Sequence, residues 1–420
     1  MKLPLSLFAP LALWLAPFAD AQEGALRSDR VVAGGPDAFL EARHLVLRGT
    51  QEEIGAALAE LARDELGTRP WPSRDTRVTR VQRRYIERVW PTHHARMRGA
   101  ARAFDSSLEE SAVNHSVLGY DLGDTFGCTV VYFPPGTTSE GEPVLSRNLD
   151  FTSGMTDGRR PGPDQHAAMS RPFVIESYPD EGYASLFTCS MDLLGSAFDG
   201  VNEKGLTVAL LSDRELMNKY DMVPTGDLAV GLNEIQVPRF LLETCADVDE
   251  AKDALLLLRQ YYAFLPCHYV VGDAGGRAFV FEGSPERNRT FFIERPGEPL
   301  ISTNFMLHAN PDPEAAESPG PKSSLGRYQG VCAVLEAASA PYDVGTIRSA
   351  SRRAAFDGPG PPPQMPYAPS RTLWHAVYYP ERGALSIDFY LGEQPDSDDP
   401  DYPEILRSGY LDFALNAERR

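Results

Sequence analysis

The chain has 420 residues, 42% of them hydrophobic and 24% charged, with a formal net charge of -19. That is ordinary globular usage, long enough for one large domain or two, and so acidic a balance repels phosphate backbones and anionic lipid surfaces, so nucleic acid is not an expected partner. Five cysteines without a Cys-x-x-Cys exclude a disulfide scaffold, leaving either two bridges with one free thiol or a set of buried thiols.

Met1-Lys2, the apolar stretch Leu3 to Phe18 and the site Ala19-Asp20-Ala21 make a secretory signal peptide over residues 1–21. The stretch is too short and too proline-rich to span a bilayer, and no later segment is apolar for long enough. A secreted or periplasmic protein starting near Gln22, with no membrane span, is expected. Residues 22–43 read as irregular and His44 to Gly49 as a strand. Thr50 with Glu53 then forms a capping box, apolar residues recur at Ile54, Leu58, Leu61 and Ala62, and Gly67 supplies the stop. Further helix is predicted from Thr79 to Phe104, and a short one from Leu108 to His115.

From Cys128 the pattern changes. Short β-rich runs at 128–133, 144–149, 186–190, 205–211, 267–273, 277–282, 290–294, 373–379 and 384–391 are joined by Gly- or Asn-containing turns, as in antiparallel hairpins. Helices are predicted near 237–246, at 248–261 behind a second capping box (Asp247, Glu250), and from Leu325 to Ala338. Strand blocks with segregated helices imply an α+β protein. Two Pro/Gly-rich stretches, 309–322 and 357–369, read as long loops. The acidic run Asp396 to Asp401 lacks an EF-hand glycine and reads as solvated loop.

The motifs of serine hydrolases, zinc proteases, P-loop enzymes and dinucleotide-binding enzymes are missing from the sequence. Its one close histidine pair, His93-His94, is adjacent in sequence and makes a poor chelate on a helix, so neither metal nor cofactor is expected. What remains is Phe126-Gly127-Cys128-Thr129 at the entry of a strand, followed one hairpin later by Arg147-Asn148-Leu149-Asp150. A cut before Cys128 would put a thiol nucleophile and an amine base on one residue. With a thiol pKa near ~8.5 and an α-amine near ~7.7–8.0, moving the proton from one to the other costs only about 1 kcal/mol in water. Gly127 suits the cut, having no side chain beside the scissile bond. Residues three apart on a regular strand face opposite sides, so a break or bulge is expected between Arg147 and Asp150.

These runs resemble the N-terminal-nucleophile hydrolases of the choloylglycine hydrolase and penicillin acyltransferase superfamily, and within it the self-cleaving isopenicillin N acyltransferase-like branch. Asp199-Gly200-Val201-Asn202-Glu203-Lys204-Gly205-Leu206 is similar to the family's Asn-Glu-Lys-Gly-Leu segment, Ile301-Ser302-Thr303-Asn304 to its second asparagine run, and Arg327 to its late arginine. Upstream, Arg48-Gly49-Thr50 and Met97-Arg98-Gly99-Ala100-Ala101 resemble that branch's pro-segment. The branch has an acidic residue just before the glycine where this chain has Phe126, with Asp124 shifted.

The resemblance implies a four-layer αββα sandwich with two antiparallel sheets. It divides the mature chain into a helical pro-segment, 22–127, and a catalytic chain, 128–420, held together after self-cleavage at Gly127–Cys128. Cys128 would be the nucleophile. Arg147 would lower its pKa, Asp150 would hold the α-amine, and Asn202 would donate to the oxyanion, although Asn-Glu-Lys-Gly is also what a tight turn looks like. Asn304 would bind the amine or the substrate, and Arg327 would support the site electrostatically. Arg371 is a weaker candidate of the same kind. The activity implied is hydrolysis of, or acyl transfer from, a linear small-molecule amide. A non-catalytic binding protein on the same fold and a dipeptidase or acyl-peptide peptidase are the alternatives.

Overall fold

The computed structural model describes residues 24–119, 127–162, 165–213, 229–284, 289–358, 365–394 and 404–416. The signal peptide, Asp124, Phe126, part of the second Pro/Gly-rich stretch and the acidic run Asp396 to Asp401 lie outside the described residues.

The protein is α+β, with two large sheets. The first has nine strands in the order β1 (Leu26–Gly34), β2 (Glu41–Gly49), β7 (Phe173–Pro179), β8 (Ser185–Cys189), β9 (Asp199–Asn202), β10 (Thr207–Ser212), β11 (Cys267–Gly272), β12 (Ala278–Ser284) and β13 (Arg289–Ile293). The second runs β14 (Leu300–Ser302), β5 (Gly127–Phe133), β6 (Val144–Thr152), β15 (Ser370–Tyr379), β16 (Ala384–Gln394) and β17 (Glu404–Arg407), with β18 (Leu411–Ala414) also pairing β16. A small ribbon joins β3 (Pro70–Pro72) to β4 (Val113–Leu118). Strands β10 and β11 meet β5 across the space between the sheets, where the apolar core lies. One expectation fails: the first sheet is not wholly antiparallel, because β2 and β7 run parallel. They are far apart in sequence, so no hairpin constrains their direction.

The N-terminal segment is less helical than predicted. Residues 26–34, expected to be irregular, form edge strand β1, whose alternating charges hide it from an apolar pattern. Helix α1 (Gln51–Leu66) starts at the Thr50 capping box and ends at Gly67 in the left-handed region (φ 64°), as predicted. The single helix predicted from Thr79 is two, α2 (Thr76–Val89) and α3 (Pro91–Ala103), because Pro91 has no N–H to give and drives Trp90 out of the helical region (φ -138°, ψ 69°). The short helix predicted near Leu108 to His115 is replaced by turns and β4. Helices α4 (Gln236–Thr244) and α5 (Val248–Leu257) contact the first sheet, while α6 (Ser324–Ala338) and α7 (Val344–Ala354) contact the second.

Helices α1 and α3 cross through two glycines. A Cβ on Gly99 would lie 1.9 Å from the Glu52 carbonyl oxygen, and one on Gly55 2.2 Å from that of Arg96. Both obstacles are backbone and cannot swing away. Gly99→Val is therefore expected to cost about 3 kcal/mol of stability, seen as a lowered thermal midpoint. An unchanged midpoint would contradict the close crossing.

Candidate active site

Strands β5 and β6 pair in unbroken register, with Gly127 opposite Asp150, Cys128 opposite Leu149 and Val130 opposite Arg147. Paired residues share a face and alternate along a strand. Cys128 and Arg147 therefore point into the space between the sheets, and Gly127 and Asp150 toward α6. β6 itself does not break between Arg147 and Asp150; the irregularity lies in its other neighbour β15, between Thr372 and Trp374, opposite Asp150 and Leu149. Cys128 offers its thiol to the inner face, while its backbone groups meet Asn304 and Arg327.

On the inner face Arg147 Nη2 lies 3.7 Å from Cys128 Sγ and donates to the Leu210 carbonyl oxygen at 3.2 Å. Its Nε lies 3.1 Å from Asp199 Oδ2, and both side chains are fully buried. Asp199 is fixed in turn by the hydroxyls of Thr188 (2.8 Å) and Tyr378. The guanidinium also lies over the Trp374 ring, 5.8 Å from its centroid. A buried arginine so tethered is a fixed positive charge beside the sulfur.

The backbone of Cys128 is held by other groups. Its N–H donates to Asn304 Oδ1 at 2.8 Å. Asn304 is locked by its own Nδ2, which donates to the Ser212 carbonyl oxygen at 2.7 Å and to Ser212 Oγ at 3.0 Å. Arg327, on α6, donates from Nη1 to the Cys128 carbonyl oxygen and to Thr129 Oγ1 (2.9 Å), and from Nη2 to Asn304 Oδ1 at 2.5 Å. Its Nη1 also lies 3.4 Å from Asp150 Oδ2, whose other oxygen accepts from Thr372 Oγ1 at 2.6 Å. A Cβ on Gly127 would stand 3.2 Å from the Asp150 Cβ, so glycine admits this carboxylate beside the Gly127–Cys128 unit.

Burial sets the electrostatics. It pushes the Cys128 thiol up to about 11, against the pull of Arg147, Arg327 and the Ser212 backbone N–H, while Asp150 adds to the rise. Burial likewise raises the Asp150 carboxyl, despite Arg327, Thr372 and Arg147.

Cys128, Arg147, Asp150, Asn304 and Arg327 thus converge, and two candidates do not. Asn202 closes the turn between β9 and β10. Both its N–H bonds are taken, by the carbonyl oxygens of Leu242 (2.9 Å) and Cys245 (2.8 Å), and its Oδ1 accepts from Lys204 and Leu206 N–H at 3.0 Å. The six steps of strand from Leu206 to Ser212 carry the chain about 20 Å from this turn toward Cys128. The turn reading describes Asn202, and the oxyanion role does not. Arg371, buried on β15, pairs with Glu393 on β16 instead.

Sequence reasoning missed Ser212, Asp199 and Thr372. Asp199 opens the very run that drew attention to Asn202, but Ser212 and Thr372 act through a backbone N–H and a hydroxyl that no motif marks. Behind them His268 links Asp213 (Nδ1 to Oδ2, 3.5 Å) to Ser302 (Nε2 to Oγ, 3.2 Å), tying the strand of Ser212 to the strand that leads to Asn304. All five cysteines are free, and four of them, Cys128, Cys189, Cys245 and Cys267, are buried.

Two packed sheets thus hold a cysteine at the entry of an inner strand, its backbone held by asparagine and arginine. Residues 137–387 match the family described as acyl-coenzyme A:6-aminopenicillanic acid acyl-transferase. That span exceeds half of the chain, and the protein belongs to this family. The match takes in Arg147, Asp150, Asn202, Asn304 and Arg327 and begins after Cys128. No curated protein matches the chain significantly. Among solved structures it is similar to a conjugated bile acid hydrolase mutant from Clostridium perfringens (16% identity, TM-score 0.46, 68% of this chain and 97% of that one). It is also similar to a penicillin V acylase from Agrobacterium tumefaciens (17% identity, TM-score 0.42, 67% and 85%). A third is the Caenorhabditis elegans ortholog of N-acylethanolamine-hydrolyzing acid amidase (16% identity, TM-score 0.34, 66% and 100%).

Proposed function

We propose that the protein is an exported amidase that matures by cutting itself between Gly127 and Cys128. The observation that carries this is the double grip on Cys128, with Sγ beside Arg147 and the backbone N–H on Asn304 Oδ1. In the uncut chain the thiol would add to the Gly127 carbonyl carbon. The peptide C–N bond would break as its nitrogen takes a proton, and water would hydrolyse the resulting thioester. The freed α-ammonium would keep the Asn304 Oδ1 acceptor that the amide N–H now uses, with the Asp150 carboxylate close by.

In turnover the thiol would pass its proton to the α-amine and add to the substrate carbonyl carbon. The α-ammonium would return that proton to the leaving amine. Water, deprotonated by the same amine, would then release the carboxylic acid and regenerate the thiol. With the Asn202 N–H bonds committed elsewhere, Ser212 N–H and Arg147 are the donors at hand for the oxyanion. Acyl-CoA is scarce outside the cell, so hydrolysis is favoured over CoA-dependent transfer. The class of substrate is a linear amide with a small acyl or aminoacyl group, and the family's name supports an acyl donor.

Purified protein is expected to give two chains by intact mass, the larger beginning at Cys128 by N-terminal sequencing. A panel of N-acyl amino acids, penicillins, bile conjugates and dipeptides then identifies the amide. A single chain that stays uncut after prolonged incubation, and turns over none of the panel, would sink the proposal.

A further inference from the structure

The seat of Cys128 is a contact between the two sheets. Asn304 accepts from the Cys128 N–H and donates to the Ser212 carbonyl oxygen and hydroxyl, while the Ser212 N–H acts on the Cys128 thiol. Ser212 ends β10 of the first sheet, and Asn304 follows β14, which pairs with β5 in the second. The ladders run within each sheet, with Ser212 opposite Cys267 and Ser302 opposite Val130. Backbone bonds therefore fix each strand among its neighbours, whereas the spacing between packed sheets is left to side chains.

His268 spans that spacing. It stands opposite Leu211 on β11 and is only 1% exposed. Its Nδ1 lies 3.5 Å from Oδ2 of Asp213, the residue after Ser212, and its Nε2 lies 3.2 Å from Oγ of Ser302, two residues before Asn304. One rigid ring thus grips both sides of the Ser212–Asn304 contact. Asp213 is anchored in turn by its own N–H, which donates to the Pro266 carbonyl oxygen at 2.8 Å. Burial by itself lowers the His268 pKa, but Asp213, with Glu282 and the Thr303 backbone, raises it overall. The Glu282 carboxylate is taken up by the N–H groups of Leu307 and His308 and by His308 Nδ1. As an imidazolium the ring donates from both nitrogens, to Asp213 and to Ser302. A buried pair of this kind contributes little net stability compared with apolar side chains of the same volume, so its value lies in fixed geometry.

We infer that His268, together with Asp213, is a positioning residue for Cys128. It sets the spacing of Ser212 and Asn304, and through them the placement of the Cys128 nitrogen and of the Ser212 N–H beside Sγ. The inference rests on the role proposed for Cys128, so its test has one arm that needs no activity.

In that arm hydrogen exchange is followed by mass spectrometry in full-length parent and His268→Leu. Peptides covering 127–133, 207–213 and 300–305 are expected to exchange about tenfold faster in the variant, while helix 51–66 stays unchanged. The second arm is steady-state kinetics on whichever amide of the panel the parent cleaves. In His268→Leu, kcat should fall about a hundredfold with KM within about twofold, the pattern of misplaced reacting groups. His268→Gln keeps a group for Ser302 Oγ and should recover about tenfold of that loss, whereas a residue that only fills space would favour leucine. Should His268→Leu fail to fold, Asp213→Asn reads the same contact and should lower kcat about tenfold at unchanged KM. Exchange and kcat like the parent's in these variants, or a higher kcat in His268→Leu than in His268→Gln, would overturn the inference. A parent that neither cuts itself nor turns over would instead remove the reading of Cys128, and the exchange arm would still decide whether the clamp exists.

Discussion

Cys128→Ala is expected to leave one uncut chain and to abolish amide hydrolysis, a loss of roughly a millionfold where a nucleophile is removed outright. The expectation rests on geometry rather than on the presence of a cysteine. The sulfur faces Arg147 at 3.7 Å inside the sheets, and the nitrogen of the same residue is held by Asn304 at 2.8 Å. Alanine keeps the backbone contacts with Asn304 and Arg327, so the variant should fold with an unchanged thermal midpoint. That separates lost chemistry from lost structure. Cys128→Ser keeps a nucleophile of far higher pKa and should process and turn over slowly, above the alanine variant. Processing seen by intact mass in Cys128→Ala would transfer the cut to another group and remove the basis for the mechanism.

How much of this was legible in the sequence depended on how local the cause was. The α1 capping box and its Gly67 stop involve neighbours in the chain, and both are where the sequence puts them. Strands β5, β6, β15 and β16 carry dense β-branched and aromatic runs and were equally readable. Strand β1 was not, because Leu26–Gly34 mixes charges into a sheet edge, and the parallel pairing of β7 with β2 was not, because the two lie far apart in sequence. The site followed the same rule. Cys128, Arg147, Asp150, Asn304 and Arg327 come together, although which face each occupies needed the strand pairing. Asn202 shows the limit: one run carries both a turn-forming asparagine and the aspartate that tethers Arg147. Only the direction of β9 and β10 tells which of the two reaches Arg147.

Arg96→Leu is expected to cost about 3–5 kcal/mol, the penalty for stranding a buried charge. Arg96, on α3, is fully buried and lies 2.8 Å from Glu243 Oε1 on α4, while donating to Gln51 Oε1 at 2.6 Å and to the Leu194 carbonyl oxygen at 3.0 Å. Trp90 Nε1, Arg239 Nε and Thr92 Oγ1 also donate to the carboxylate, at 2.9, 2.5 and 3.2 Å. Burial by itself would raise the Glu243 pKa, but Arg96 and Arg239 together hold it down to about 2. A folded pKa below the unfolded value means stability fully present above the ordinary carboxylate range and lost as pH falls toward 2. Denaturant midpoints at pH 7 and pH 3 should therefore differ less in Arg96→Leu than in the parent. The double variant Arg96→Leu/Glu243→Leu should not recover the loss, because buried Arg239 then loses the carboxylate it pairs with. Arg96 precedes Gly127 and Glu243 follows it, so in cut protein the single variant should also shed the N-terminal segment on size exclusion at low denaturant. If Arg96→Leu matched the parent in both midpoint and chain retention, the buried pair would not be what fastens α3 to α4.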